Sequence, residues 1–385
     1  MKVAVLSESM EGEKRVALIP EVVKNLTERK YEVVVQSEAG LKAGFPDDSY
    51  RAAGANIAST AAEAIESADV ILKVQGPSDQ DVATNLDTLR ANQILIAFLF
   101  PSSNLKTTSN LAQKGVVSFA MELIPRITRA QSMDALSSMS TIAGYKAALA
   151  AADALPKFFP MFMTAAGTLP PARVLVIGAG VAGLQAIATC KRLGAIVEAF
   201  DVRPAVKEQV ESLGAKFVAM NVVSDDAEDA SGYAKEVTGD THVKELELIA
   251  TRMAKNDVII TTALIPGKPA PVLITREMVG KMARGSVIVD LAAPAGGNCE
   301  ATVPGQTVVV DGVKILGPLS LLSDMASDAS RMYSKNIAEF LFNLSPEGTL
   351  NLDLEDQIIR NTLVTHEGKV FHEPTRLILE KGGVA

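Results

Sequence analysis

A glycine-rich segment near the middle of the chain has the residue types and spacing of a dinucleotide-binding turn. It reads Val174-Leu175-Val176-Ile177-Gly178-Ala179-Gly180-Val181-Ala182-Gly183. In such a turn Gly178 permits a tight bend, Gly180 lets a pyrophosphate approach the backbone, and Gly183 lets helix and strand pack closely. The N–H groups at the start of the following helix then bind the diphosphate. The residues predicted to contact the cofactor here are Gly178, Ala179, Gly180, Val181 and Gly183.

The elements around this motif make it more specific than three glycines alone. A five-residue β run, Arg173–Ile177, leads into it, and an amphipathic helix, predicted over Leu184–Leu193, follows it. The next strand, Ile196–Phe200, brings the chain back to the same edge of a parallel sheet. The simpler interpretation, a glycine-rich turn without a ligand, does not require all of these elements in register.

The strand Ile196–Phe200 ends at Asp201, where a carboxylate would accept hydrogen bonds from both hydroxyls of an adenosine ribose. The same charge would repel a 2′-phosphate, which favours NAD over NADP. Arg203 is the opposing signal, because an arginine at this position can accommodate that phosphate. The predicted ribose segment is Asp201, Val202 and Arg203.

Two further strand ends should lie beside this turn, because ligands of open α/β sheets bind outside the carboxyl ends of the strands. Asp257–Thr261 leads into Thr262-Ala263-Leu264, and Ser286–Leu291 leads into a glycine-containing turn that ends at Asn298. Thr262, Ala263 and Leu264 are therefore predicted to contact the cofactor as well.

The polar stretch Asn221–Asp240 contains Gly232 and Tyr233. It is either a solvated surface loop or a lid that closes on the nucleotide, and both interpretations stay open.

The chain contains few groups for acid–base chemistry. The three histidines, His242, His366 and His372, stand at no predicted strand end, so we expect surface residues. Cys190 and Cys299 look like isolated thiols, and no cluster has metal-ligand spacing. A dehydrogenase acting on an alcohol or amine must move a proton as well as a hydride. Hydride passage between two nicotinamides requires only proximity, orientation and exclusion of water.

A second polar group precedes a long helical pattern. Arg126 follows a predicted strand end, and Gln131, Asp134 and Ser137 continue at i, i+3, i+6, the spacing of one helix face. These side chains could line a cleft. Spacing alone favours the simpler interpretation, a helix start with Ser/Asp capping and a solvated arginine.

Strands and helices alternate along most of the chain, which predicts parallel sheets covered by helices on both faces. A first series ends near Ala120, an Ala/Ser/Met-rich helix follows, and a second series runs from Arg173 to about Leu316. A long helix over Asp328–Leu344 should return to the first domain. The predicted fold is α/β, with two doubly wound Rossmann-like domains of parallel sheet linked by long helices and a cleft between them. The N-terminal domain is predicted over 1–135 plus 330–385, and the nucleotide domain over 136–329.

Composition limits the partners. The 385 residues are 48% hydrophobic and carry a formal net charge of −8, which argues against nucleic acid as a ligand. Two cysteines exclude a disulfide framework and fit a reducing compartment. No stretch is apolar enough to predict a membrane span.

Several long segments resemble the NAD(H)-binding subunit of proton-translocating nicotinamide nucleotide transhydrogenase, in the form where this region is a separate chain. The likeness covers most of the sequence. The segments that carry it are Glu13-Lys14-Arg15-Val16-Ala17-Leu18-Ile19-Pro20, Met133-Asp134-Ala135-Leu136-Ser137-Ser138, Asp201-Val202-Arg203-Pro204, Gly232-Tyr233-Ala234-Lys235-Glu236 and Ile260-Thr261-Thr262-Ala263-Leu264-Ile265-Pro266-Gly267-Lys268.

The resemblance implies a homodimer of two-domain subunits that binds NAD(H). It implies partner subunits that bind NADP(H) and span the membrane, and it places this chain on the cytoplasmic face without a span of its own. At matching positions, Arg126, Gln131, Asp134 and Ser137 would hold the nicotinamide and its ribose, Asp201 and Arg203 would flank the adenosine ribose, and Tyr233 would tip a mobile loop.

Alanine dehydrogenase shares this architecture and is the main rival. Arg15 and Lys73 fit its substrate-binding positions, but Phe100-Pro101 stand where its catalytic histidine should follow a strand. Pro294 stands where its catalytic aspartate should lie, so alanine oxidation would lack its proton relay. We therefore predict reversible hydride transfer between NADH and NADP⁺, coupled to proton translocation by the partners. The alternative that stays open is a non-catalytic NAD-binding redox module.

Overall fold

The structure, a computed structural model, describes residues 1–77, 88–220, 240–264, 269–346 and 348–382. The chain forms two compact units. Unit 1 comprises Met1–Met139 and Leu322–Ala385, and unit 2 comprises Ser140–Leu321. The first division falls inside the helix α5, Ala135–Ala154. The boundaries predicted from the sequence, at 135/136 and 329/330, differ from these by four and eight residues.

Unit 1 is built on an eight-stranded sheet. The strands are β1 Lys2–Val5, β2 Glu32–Gln36, β3 Asn56–Ala58, β4 Val70–Gln75, β5 Ile94–Phe98, β6 Val117–Ala120, β16 Leu363–His366 and β17 Lys369–Val370. Their order in the sheet is β17-β16-β6-β5-β4-β1-β2-β3. The first six along the chain are parallel, and the two from the C-terminal segment are antiparallel to their neighbours. Every residue of β5 is buried, as expected of an apolar strand covered on both faces.

Unit 1 also contains helices, and those with an apolar stripe pack that stripe into the core. The helices are α1 Pro20–Glu28, α2 Asp47–Ala52, α3 Ala61–Glu66, α4 Leu105–Gln113, α10 Ala326–Leu344, α11 Gln357–Thr362 and α12 Glu373–Glu380. The buried face of α10 also carries polar side chains that satisfy irregular backbone: Ser330 and Ser334 accept from the N–H groups of Val16 and Ile19, at 3.0 Å each. The returning C-terminal helix therefore completes unit 1.

Unit 2 is built on a seven-stranded sheet. The strands are β9 Arg173–Ile177, β10 Ile196–Phe200, β11 Lys216–Val218, β12 Val258–Thr261, β13 Val287–Asp290, β14 Thr307–Val310 and β15 Val313–Leu316. Their order is β11-β10-β9-β12-β13-β15-β14, parallel except for β14. With β9 as the first strand, this is the doubly wound 3-2-1-4-5-6 order with one added edge strand. The predicted α/β class is confirmed.

The helices of unit 2 are α6 Val181–Arg192, α7 Lys207–Ser212, α8 Asp240–Met253 and α9 Arg276–Gly280, together with most of α5. The start of α6 corrects the sequence prediction, since the helix begins at Val181 and not at Leu184. A small hairpin, β7 Phe162–Thr164 and β8 Gly167–Leu169, lies apart from the large sheet, and every residue in it is exposed. The sequence prediction did not include this hairpin.

Within the described part of the chain, none of the helices is both long and apolar enough to cross a membrane.

Candidate nucleotide-binding site

The glycine turn lies at the carboxyl end of β9, where the strand order reverses between β9 and β12. Gly178 has φ +95°, a conformation that L side chains rarely adopt, and its missing Cβ leaves room for the Thr262 hydroxyl. A Cβ on Gly180 would meet no protein atom within 4 Å. The backbone at Gly180 is therefore open to a ligand, as the pyrophosphate prediction requires.

The third glycine has a packing role. A Cβ at Gly183 would lie 1.9 Å from the carbonyl oxygen of Gly178, so any side chain there would separate α6 from the turn. Gly144 of α5 is equally constrained, because its Cβ would lie 2.0 Å from the Ala182 carbonyl oxygen. The first turn of α6 has no side-chain cap, and its N-cap is Gly180. The helix N-terminus thus presents its positive end at the open position of the turn.

Asp201 lies directly after β10 and is buried beside the turn. Its Oδ2 accepts a hydrogen bond from the N–H of Ala179 at 2.7 Å. The guanidinium of Arg203 donates to both carboxylate oxygens, at 2.9 and 2.8 Å, and the N–H of Arg203 donates to Oδ1 at 2.9 Å. The two predicted signals for the ribose, one acidic and one basic, therefore form a single ion pair. Val202 lies between them and packs partly against the core.

Thr262, Ala263 and Leu264 follow β12 and lie against the glycine turn. The Thr262 hydroxyl donates to the carbonyl oxygen of Gly178 at 3.0 Å. Thr262 and Ala263 are half-buried, whereas Leu264 is exposed. The structure thus brings together the predicted glycine, ribose and Thr262–Leu264 segments of unit 2.

A second acidic residue, which the sequence prediction missed, lies near Asp201. Glu245 of α8 is buried, and its Oε2 lies 3.1 Å from Nδ1 of His242. Burial raises the pKa of Glu245, the His242 partner lowers it, and the charge of Asp201 raises it further. A single glutamate on an amphipathic helix is common, so the sequence contains no signal that distinguishes Glu245 from a surface residue. His242 itself is half-buried and not a fully exposed surface residue.

The predicted nicotinamide group lies in unit 1, and its helical spacing is not realised. Gln131 lies in a 3₁₀ turn, Thr128–Met133. The backbone of Asp134, with ψ +83°, interrupts the helical conformation between this turn and α5. The carboxylate of Asp134 instead caps α5: it accepts from the N–H of Ser137 at 2.8 Å and from its hydroxyl at 2.5 Å. Gln131, Asp134 and Ser137 therefore do not share one helix face, because a local cap stabilises the break.

Neighbouring contacts fix the turn that carries Gln131. Arg129 donates to Asp356 and Asn343 of the C-terminal segment, and the amide of Asn336 donates to the carbonyl oxygen of Ser132 at 2.7 Å. Arg126 and Gln131 are exposed, so their side chains are accessible to a ligand.

A strained turn follows β5, at the position where the alanine dehydrogenase pattern would need a histidine. Phe100 has φ +45°, and its ring stacks on Phe98 with centroids 6.0 Å apart. The carboxylate of Glu122 accepts from the N–H groups of Leu99 and Phe100, which holds this conformation. Burial raises the pKa of Glu122 to about 7.

Arg15 and Lys73, the residues that fit the rival family, lie buried among carboxylates. Glu13 accepts two hydrogen bonds from the Arg15 guanidinium, and the ammonium of Lys73 lies 3.8 Å from Oε2 of Glu8. Burial raises the pKa of Glu13, but the hydrogen bonds and charge of Arg15 bring it down to about 2. Burial raises the pKa of Glu8. Both cations of this cluster therefore have a carboxyl partner within the protein.

Gly232 and Tyr233, the predicted lid residues, lie outside the described residues. Cys190 and Cys299 are free thiols, as predicted, and the structure shows that both are buried. Among the residues that the structure describes, no group of His, Cys, Asp or Glu side chains has the arrangement of a metal site.

Comparison with known proteins identifies the family. The model for "Alanine dehydrogenase/PNT, N-terminal domain" matches residues 4–143, and that for "Alanine dehydrogenase/PNT, C-terminal domain" matches residues 147–373. An NAD(P) transhydrogenase subunit alpha chain of Rhodospirillum rubrum is 50% identical over 376 residues, which cover 97% of this chain and 98% of that protein.

Two solved structures agree with these matches. The transhydrogenase from Sinorhizobium meliloti is 46% identical, with a TM-score of 0.86 over 96% of this chain and 100% of that one. An L-alanine dehydrogenase is 25% identical, with a TM-score of 0.83 over 99% of each chain. The likeness to the transhydrogenases is thus the stronger one. The chain belongs to the alanine dehydrogenase/PNT family, and within it to the NAD(P) transhydrogenase alpha subunits.

Proposed function

We propose that this chain is the NAD(H)-binding catalytic subunit of a proton-translocating transhydrogenase, which exchanges hydride between NADH and NADP⁺ on a partner subunit. One observation carries the proposal: an open glycine turn at a helix N-terminus, beside a buried acidic residue at the next strand end, in a chain from this family. The turn suits a diphosphate, and Asp201 suits the hydroxyls of an unphosphorylated adenosine ribose.

The reaction needs binding and alignment and no proton relay within this chain. NADH and NADP⁺ become NAD⁺ and NADPH when one hydride moves, so no proton is released or taken up at the rings. Phe100 in place of a histidine is consistent with that requirement. The contribution of the protein is then to orient one ring and to exclude water.

The nicotinamide and its ribose are assigned to Arg126, Gln131, Asp134 and Ser137. Their support is the family resemblance, together with the exposure of Arg126 and Gln131 and the contacts that fix the turn around Gln131. Asp134 and Ser137 are half-buried in a cap, so we expect their effect on binding to pass through the start of α5.

The proposed assembly is a homodimer that docks on NADP-binding and membrane-spanning partner subunits at the cytoplasmic face. The exposed hairpin supports the dimer, because Met163 is 79% exposed and Phe162 and Leu169 are exposed beside it. Exposed apolar groups of this kind mark interaction sites, and a two-fold contact pairs the same patch on both subunits.

The test is reconstitution with an NADP-binding partner subunit. We expect reduction of an NAD⁺ analogue by NADPH, followed by absorbance, only when both chains are present. NADH binding to this chain without analogue reduction in the mixture would indicate the non-catalytic module. NADH formation from alanine and NAD⁺ by this chain alone would instead indicate an alanine dehydrogenase and overturn the proposal.

A further inference from the structure

A buried carboxylate at the end of β13 organises the loops that follow the central strands of unit 2. Asp290 is fully buried and accepts five hydrogen bonds. Two come from the hydroxyls of Thr261 and Thr302, at 2.8 and 2.7 Å. Three come from backbone N–H groups, those of Ala292, Asn298 and Cys299. A buried charge with so many donors is satisfied without a ligand, and it fixes the chain around Asn298.

Asn298 is also fully buried, and its side chain bridges two separate segments. Its Oδ1 accepts from the N–H of Ala263 at 3.1 Å, and its Nδ2 donates to the carbonyl oxygen of Ala263 at 2.9 Å. The same Nδ2 donates to the carbonyl oxygen of Pro271 at 2.8 Å. The amide thus pairs with both backbone groups of Ala263, in the way that a neighbouring strand would.

These contacts form a continuous path to the glycine turn. Asp290 holds the backbone of Asn298, the Asn298 amide holds Ala263, and the adjacent Thr262 donates to the carbonyl oxygen of Gly178. Gly178 and Thr262 are close enough that a Cβ on Gly178 would lie 2.5 Å from the Thr262 hydroxyl oxygen. A shift of the Ala263 turn would therefore displace the surface predicted to receive the nucleotide.

We propose that Asn298 is a positioning residue for nucleotide binding: its buried amide sets the Thr262–Leu264 turn against the glycine turn before the nucleotide arrives. The inference rests on the proposed function, because that function assigns the nucleotide to this edge of the sheet. Its physical basis is preorganisation, in which binding does not have to order a loop that is already held.

The test compares Asn298→Ala with a matched control, Thr302→Val. Both substitutions remove a side-chain hydrogen-bonding group beside Asp290, but the Thr302 hydroxyl donates to Asp290 itself, whereas the Asn298 side chain bonds both backbone groups of Ala263. We expect both to lower Tm. Asn298→Ala should raise the NADH dissociation constant about tenfold or more, whereas Thr302→Val should change it less than about twofold. The dissociation constants are measured from the fluorescence of bound NADH, at a temperature below the unfolding transitions of both variants.

Equal effects of the two variants on NADH affinity, or no effect of Asn298→Ala, would overturn the inference. Failure of the wild-type chain to bind NADH would instead count against the proposed function. If Asn298→Ala does not fold, amide hydrogen exchange on the unmodified chain decides the matter. A preorganised turn predicts that the Ala263 amide is protected without nucleotide, and rapid exchange there would refute it.

Discussion

The ion pair beside the glycine turn makes a specific prediction about cofactor choice. Asp201 accepts four hydrogen bonds, three of them from Arg203. A carboxylate has about four good acceptor sites, so we expect a ribose hydroxyl to compete with the Arg203 donors for Asp201. Under the proposed function, Asp201 would therefore both bind the hydroxyls of NADH and keep the arginine from acting as a phosphate site.

Replacing Asp201 with Asn tests both roles at once. Hydrogen bonds to a charged group contribute about 1.5–3 kcal/mol each, so NADH should bind about tenfold or more weakly. NADPH should bind more tightly than to wild type, because the repulsion is gone and Arg203 can pair with the 2′-phosphate. Breaking a buried ion pair also destabilises the fold by about 3–5 kcal/mol, so affinities must be measured below the lowered Tm.

The assay is titration of both nucleotides by fluorescence, and the control is the double variant Asp201→Asn with Arg203→Ala. The double variant should lose the gain in NADPH affinity and keep the loss in NADH affinity. Equal weakening of both nucleotides in the single variant would refute the specificity role. A gain in NADPH affinity that survives in the double variant would refute the role of the arginine.

Four further predictions follow from the two units. Gly183→Ala should unfold or severely destabilise unit 2, because the new Cβ would collide with backbone. Gly180→Ala should keep a normal Tm and lose NADH affinity, because its Cβ would meet no protein atom and would lie where the ligand is expected. Thermal melts and NADH titrations distinguish the two effects. Gln131→Ala should slow hydride transfer in the reconstituted system with little change in NADH affinity, and an equal loss of rate and affinity would remove it from ring alignment. Burial raises the pKa of Glu122 from 4.5 to about 7, so the folded state holds its proton more tightly than the unfolded state. Stability should therefore fall between about pH 4.5 and 7, by at most ~3 kcal/mol, and Glu122→Gln should flatten that part of the Tm profile; an unchanged profile would contradict the burial effect. Phe162→Asp in the exposed hairpin should shift the chain toward monomer in analytical ultracentrifugation, and an unchanged dimer would exclude the hairpin as the contact.

Local sequence signals were sufficient to predict the strands and the turn around the glycine motif of unit 2. The strands Arg173–Ile177 and Ile196–Phe200 have the bounds expected from their apolar runs, because a parallel strand buried on both faces is a continuous apolar segment. In the turn that follows Arg173–Ile177, Gly178 has a positive φ and a Cβ at Gly183 would collide with backbone. These are properties of neighbouring residues, and the sequence displays them directly.

The remaining features depend on long-range contacts that no local pattern reveals. The bonds from Asn298 to Ala263 join residues 35 positions apart. Gln131 and Ser137 have helical spacing, yet Asp134 ends the 3₁₀ turn that carries Gln131 and caps the start of α5, which carries Ser137. The hairpin around Phe162 was missed because an exposed apolar strand does not follow the rule that apolar residues are buried.

The most direct test of the account is the fate of deuterium at C4 of the nicotinamide of NADH. With both C4 hydrogens of NADH replaced by deuterium and the NADP-binding partner present, mass spectrometry should find one deuterium in NADPH and none in the solvent, because the proposed reaction passes hydride directly between the rings. Protium from water in the NADPH, or deuterium lost to solvent, would show a relay through a protein group or an intermediate and would contradict direct transfer.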